Sequence, residues 1–390
     1  MRNNDLEILE RLDYEYSRLK SKNDAYLGYP LSKDFDYEIL GRFLGLQINN
    51  VGDPFTPSSL SIDTKKMEVE VINLMAKFLH ADIEKTWGYV TNGGSEGNLY
   101  GLYLARELFP NGMVYFSEST HYSVKKNVHL LNLQNIVVRA QENGEIDYYD
   151  LENTLQTRRH QPAIFFLNIG TTMKEAVDDL SEIKKIIKKL AIKNFYIHCD
   201  AALKGMILPF VKPAVPFDFE EGIDSISISG HKFIGSPIPC GIVLCKKDHK
   251  SRVGQVISYV DTKDTTITGS RNGFTPIVLW YALKKLGYGG LKKRVDQSLF
   301  LASYLENKLR DKEVNVSRNK NAITVVFPTP PIEICKKYQL ASEDGISHVI
   351  CMPGITIEYL DCFIEDYLNS EEIEVLEWNE NMLECLFADF

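Results

Sequence analysis

The 390-residue chain contains no run of 18 apolar residues, so no membrane helix is expected. An excess of positive charge is also missing: 44 Lys and Arg stand against 53 Asp and Glu, a formal net charge of −9. Proteins that coat nucleic acid need basic surface to release counterions, so no nucleic-acid partner is expected. Cysteine is sparse and unpatterned. Cys199, Cys240, Cys245, Cys335, Cys351, Cys362 and Cys385 form no CxxC pair and no Cys/His group at zinc spacing. No metal centre is expected, and free thiols in a reducing, cytoplasmic compartment are. The first twenty residues carry Asp5, Glu7 and Glu10 where a signal peptide would be basic and then apolar. Repeats and low-complexity segments are absent too.

What is present is ordinary globular material, 44% hydrophobic and 25% charged. Leu6, Leu9, Leu12, Tyr16 and Leu19 recur at helical spacing over 5–19. Pro30, Pro54 and Pro57 then punctuate an irregular arm, and a helix is expected over 64–80. Short apolar runs follow at 113–116, 135–138, 163–169, 195–199, 225–229 and 241–245. Several lack polar alternation, as strands buried on both faces do. Helical patterns fill some of the gaps, most clearly 181–191 with Ser181 as N-cap. Strand–helix–strand alternation of this kind predicts an α/β fold with a mostly parallel sheet. A helix over 294–310, strands at 322–327 and 348–352 and a helix over 356–368 form a smaller C-terminal α+β lobe. The expected division is an N-terminal helix and arm (1–60), a large domain (61–290), a small domain (291–368) and an acidic tail (369–390). The tail holds six Glu and one Asp without a basic residue, and Leu376, Leu383, Phe387 and Phe390 share one helical face.

Three segments fall where strands should end, and there α/β folds bind ligands. In Thr91–Asn98 (TNGGSEGN), Gly93 and Gly94 admit close backbone approach, and Ser95 sits at a helix N-terminus that attracts phosphate. The same segment also reads as a simple glycine turn. Asp200, in HCDAA, is a carboxylate at a buried strand end and needs a cation or hydrogen-bond donors, which a structural salt bridge would also satisfy. Lys232, in SGHK, is either a surface charge or an amine that forms a Schiff base with a carbonyl. Together, a phosphate cradle, a carboxylate and a lysine are what pyridoxal 5'-phosphate (PLP) requires. His121, in STHYS, follows the strand MVYF and is placed to stack on its ring.

From Leu27 to Leu368 the sequence resembles the PLP-dependent group II amino-acid decarboxylases of fold type I, in the branch of histidine decarboxylases and plant-type serine decarboxylases. The resemblance rests on GYPLSKDFDY (28–37), INNVGDP (48–54), WGYVTNGGSEGN (87–98), THYSV (120–124), NIGTT (168–172), HCDAA (198–202), SGHKFIGSPIPCG (229–241) and GSRNG (269–273). It implies the aspartate-aminotransferase-like fold. It assigns Lys232 to the cofactor aldehyde, Asp200 to the ring nitrogen, and His121 and Ala202 to the two ring faces. By the same resemblance Gly94, Ser95, Ser229 and His231 hold the phosphate, and Thr171 or Thr172 lies near the ring.

The family's homodimer, with sites at the subunit interface, would let the loop carrying Ser270 and Arg271 serve the neighbouring site. Tyr29 is a candidate for substrate contact. The implied reaction is decarboxylation of L-histidine to histamine, with L-serine to ethanolamine as the alternative and a PLP aminotransferase as the mechanistic rival. The rival needs an arginine clamp, for which Arg318 is the only arginine after Arg310. Two residues depart from the family: Phe274 stands where histidine follows GSRNG, and Glu175 where a glycine is usual.

Overall fold

The computed structural model describes residues 3–257 and 262–370. The expected helical face at Leu376–Phe390 lies outside the described residues. The chain begins with helix α1 (Asn3–Asn23), then the arm, then α2 (Lys65–Phe78). Strand β1 (Thr86–Thr91) leads into α3 (Gly94–Leu108), β2 (Met113–Ser117), α4 (Ser123–Leu130) and β3 (Gln134–Val138). Next come α5 (Tyr148–Gln156), β4 (Ala163–Asn168), α6 (Leu180–Lys189), β5 (Phe195–Asp200), β6 (Ser225–Ser229) and β7 (Gly241–Lys246). These seven strands form one sheet in the order β1-β7-β6-β5-β4-β2-β3. Pairing is parallel from β6 through β5, β4 and β2 to β3, and antiparallel on both sides of β7. Every residue of β1, β4 and β6 is buried, and the β4 run accordingly shows no polar alternation before its last residue.

After β7 come a one-turn helix α7 (Lys247–Lys250) and a hairpin of β8 (Gln255–Ile257) and β9 (Thr262–Asp264). A long helix α8 (Phe274–Arg310) changes direction at Gly287, whose φ of 59° only glycine adopts readily. It starts well before the expected residue 294, because the LWYALKKLG stretch already has an apolar face. Strand β10 (Thr324–Pro328), α9 (Ile332–Tyr338), β11 (Ala341–Glu343), β12 (Ile346–Ile350) and α10 (Ile357–Ser370) complete the small lobe. Its antiparallel sheet has the order β10-β12-β11. One apolar cluster runs from Phe165 and Ile228 under the large sheet to Leu309, Val325 and Phe363 in the small lobe. No described helix is long and apolar enough to cross a membrane.

The cap of α6 corrects the sequence reading. Asp179, not Ser181, occupies the N-cap, and its carboxylate accepts from Ser181 N at 2.7 Å. A carboxylate at the positive helix end is the better acceptor, so the cap lies two positions earlier than Ser181.

The seating of α3 on the sheet positions the site. Gly94, Gly97 and Gly101 lie at steps of three and four, on the helix face toward β5 and β6. A Cβ on Gly97 would come within 2.2 Å of Ser227 Oγ, and one on Gly101 within 2.1 Å of His198 Nδ1. Three helical glycines cost about 1 kcal/mol each in propensity. In return the helix lies close enough for the polar side of β6 to meet its backbone, and Ser227 Oγ donates to Gly94 O at 3.1 Å. The SISIS run is thus two-faced, with serines against α3 and Ile226 and Ile228 in the apolar core.

Candidate active site

A cavity of about 220 Å³ opens at the carboxyl ends of β4, β5 and β6. Gly94, Ser95, His121, Thr171, Thr172, Asp200, Ala202, Ser229, His231, Lys232 and Tyr29 all line it. The three motif segments, spread from residue 91 to residue 232, therefore converge on one space. Ser270 does not. It is exposed, and its hydroxyl accepts from Asn49 Nδ2 at 3.1 Å. Its neighbour Arg271 is turned inward and forms a buried ion pair with Glu68 while donating to Gly52 O at 3.0 Å. Phe274 starts α8 and packs beside Leu40, Ile277 and Val278, so its departure from histidine changes packing rather than this cavity.

At one end of the cavity stand the first turn of α3 and the turn after β6. His231 Nδ1 lies 2.9 Å from Cys240 O, so that nitrogen carries a proton. Burial pushes the His231 pKa down. Lys232 sits in a π-helical turn (Gly230–Ile234) with non-helical dihedrals of φ −84° and ψ −107°. The arm fixes that turn: Ser32 Oγ donates to both Lys232 O and Phe233 O at 3.1 Å. Two residues on, Asp34 pairs with Arg294 through two hydrogen bonds, and Arg294 also reaches Ile234 O. This gives the GYPLSKDFDY segment a physical role that its sequence alone did not disclose. Burial lowers the Lys232 pKa, opposed in part by the charge of Asp200, so more of its amine is neutral and nucleophilic.

Asp200 ends β5 and is 8% exposed. The donors it was expected to need are Asn98 Nδ2 at 2.7 Å and Ala202 N at 3.1 Å, one to each carboxylate oxygen. Beside it in register, Asn168 ends β4, and its amide nitrogen donates to Thr120 Oγ1 and Asp178 Oδ2. His121 is half-buried, bonded through Nδ1 to Ser123 Oγ at 2.8 Å, and burial lowers its pKa. Sequence reasoning did not single out Asn98, although it lies one helical turn past Gly94 in the quoted motif. Asn168 and His198 were likewise inside quoted motifs and were not assigned roles.

The small lobe and the arm close the far side. His348 lies between two backbone carbonyls, with Nδ1 3.0 Å from Met173 O and Nε2 3.1 Å from Gly28 O. Thr324 turns its hydroxyl onto Glu175 Oε2 at 2.6 Å. Glu175 has a left-handed φ of 51° and a buried carboxylate, which also accepts from Ile323 N at 3.0 Å and lies 3.4 Å from Lys204 Nζ. The departure from glycine at this position thus provides a buried tie between the two lobes. Arg318 is committed within the small lobe to Glu306, Ser303 and Ala322 O, and no arginine among the described residues lines the cavity.

An amine of lowered pKa, an anchored carboxylate and a helix-end anion cradle in one cavity fit pyridoxal 5'-phosphate. The fold and the site together define a PLP enzyme. The sequence pattern of the pyridoxal-dependent decarboxylase conserved domain matches residues 29–329, and the chain belongs to that family of PLP-dependent amino-acid decarboxylases. The chain is similar to a histidine decarboxylase of Mesorhizobium japonicum, at 48% identity over 92% of this chain and 97% of that one. Serine decarboxylase 2 of Oryza sativa subsp. japonica is 42% identical over 95% of this chain and 80% of the rice protein. Among solved structures, L-methionine decarboxylase from Streptomyces sp. 590, bound to 3-methylthiopropylamine, superposes with a TM-score of 0.85. It is 27% identical and covers 94% of this chain and 96% of its own.

Proposed function

We propose that this enzyme decarboxylates L-histidine to histamine. The observation that carries the reading is the apolar far wall of the cavity: Tyr29, Pro30, Leu203, Ala341 and Ile350, with the Thr324 hydroxyl already engaged on Glu175. A flat, neutral side chain suits such a wall, whereas a charged one would be desolvated without a partner. The relatedness to histidine decarboxylases supports the same reading. L-Serine is the second reading, supported by the rice serine decarboxylases. The test is kcat/KM for amine formation from each amino acid. Histidine is expected to exceed serine by at least about tenfold, the discrimination of one well-filled apolar contact. The reverse order would assign the serine reaction.

Bound PLP supplies the sink for the electron pair left at Cα when CO2 departs. The chain's own residues do the rest. The amides of Gly94 and Ser95 with the Ser229 hydroxyl and His231 hold the phosphate. Lys232 would hold the cofactor through its aldehyde, its amine being the group of lowered pKa that faces the cavity. Asp200 would keep the ring nitrogen protonated, and His121 and Ala202 would confine the ring between them. Thr171 borders the ring, and Tyr29 meets the substrate side chain. His121 or Lys232 returns a proton to Cα. The enzyme acts in the cytoplasm as a homodimer in this reading, with Ser270 serving the neighbouring site. Exposed Leu6, Leu9, Leu12 and Leu19 on α1 and Leu44 and Leu46 on the arm support a covered interface.

A further inference from the structure

A chain of four buried side chains leads along the α3 face of the sheet to Asp200. Tyr196 OH is 2.9 Å from Ser225 Oγ, and Ser225 Oγ is 2.7 Å from His198 Nδ1. His198 Nε2 is 3.0 Å from Asn98 Oδ1, and Asn98 Nδ2 is 2.7 Å from Asp200 Oδ2. Tyr196, His198 and Ser225 are fully buried and Asn98 nearly so.

The direction of every proton follows from the two ends. A carboxylate only accepts, so the Asn98 amide nitrogen must face Asp200 and its oxygen must face His198. That oxygen only accepts, so His198 carries its proton on Nε2. Burial takes the His198 pKa down to about 3, so the ring stays neutral and Nδ1 is an acceptor. Ser225 then donates to Nδ1 and receives the proton of Tyr196, whose pKa burial holds well above its usual value. The ring also has a place made for it: Gly101 of α3 faces it, where any Cβ would fall 2.1 Å from Nδ1.

We infer that His198 is a positioning residue for the reaction: acting through Asn98, it fixes the Asp200 carboxylate in the orientation that the protonated ring nitrogen requires. The inference rests on the assignment of Asp200 to that nitrogen. Without the ring, the Asn98 amide oxygen loses its donor, and Asp200's only side-chain donor among the described residues is held at one end alone. Histidine suits this place because a neutral imidazole both donates to Asn98 and accepts from Ser225 along one line. Phenylalanine of similar size does neither.

The test separates a structural role from a positioning one. Apoprotein is titrated with PLP and with its 1-deaza analogue, in which a carbon replaces the ring nitrogen, and both dissociation constants are read from quenching of intrinsic fluorescence. Wild type is expected to prefer PLP; equal affinities would overturn the Asp200 assignment itself. In His198→Phe the preference is expected to shrink about tenfold, the value of one lost hydrogen bond to a charged group, with affinity for the deaza compound unchanged. Equal weakening of both ligands, or an unchanged preference, would overturn the role of His198. Should His198→Phe fail to fold, Ser225→Ala decides, because it frees the tautomer while leaving the ring in place. A preference reduced about threefold supports the inference, and an unaltered one overturns it.

Discussion

Lys232→Ala should lower amine formation by on the order of 10³-fold or more while leaving the protein folded and able to bind PLP. The residue is an inward-facing amine on a turn whose backbone is held from outside by Ser32, so truncating the side chain leaves the turn intact. The first turn of α3 and the Asp200 carboxylate belong to other elements and remain, and Ser229 and His231 keep their places on the turn that Ser32 holds. The lost element is the nucleophile itself, whose pKa burial lowers so that more of the amine is neutral. Borohydride reduction of the holoenzyme followed by peptide mass analysis reads the linkage directly. The cofactor mass is expected on the peptide containing residue 232 in wild type and nowhere in the variant. Label on another lysine, Lys204 included, would contradict the assignment, as would turnover retained in Lys232→Ala.

The largest effect on stability is expected at Lys204. Its ammonium is fully buried, donates to Glu175 O at 3.0 Å and Lys320 O at 3.3 Å, and faces the Glu175 carboxylate. Burial lowers its pKa and the Glu175 charge opposes that, so the pair is held against a desolvation cost. Lys204→Met strands a buried carboxylate and should destabilise the fold by about 3–5 kcal/mol. Glu175→Gly relieves the left-handed backbone yet strands the lysine, and should cost a similar amount. The double variant removes both charges. It should regain most of that loss and fall short of wild type by about 1–2 kcal/mol, because Ile323 N and the Thr324 hydroxyl lose their acceptor. Denaturant midpoints of the four proteins close the cycle. Additive losses in the double variant would show that the two residues are not coupled across the lobes.

The sequence made much of this site legible, and for identifiable reasons. Six short apolar runs, several of them without polar alternation, announced strands, and chemistry-bearing residues at their ends announced a shared edge. The expected strands at 113–116, 195–199 and 225–229 coincide closely with β2, β5 and β6. Less visible were features that depend on contacts distant in the chain. The role of Ser32 requires knowing that the arm crosses the lysine turn 200 residues away. The stripe Gly94, Gly97 and Gly101 reads as a weak helix until the serines of β6 and the ring of His198 are seen opposite it. Short elements such as α4 and β11 lack the length for a clear period, and α8 hid its start behind the break at Gly287. Arg271, expected with Ser270 in an interface loop, is buried because Glu68 of α2 awaits it. One residue's difference along a loop separates an exposed hydroxyl from a buried cation, and no periodicity reports that.

Decarboxylation and amino transfer begin from the same substrate-bound site and part at the bond that breaks. The direct measurement is therefore to supply carboxyl-¹³C-labelled L-histidine to the holoenzyme in D2O and follow carbon and hydrogen by mass spectrometry. The account predicts ¹³CO2 and histamine in equal amounts, with one solvent deuterium at the former Cα. Labelled imidazolepyruvate, with the carboxyl carbon retained and no CO2 released, would contradict it.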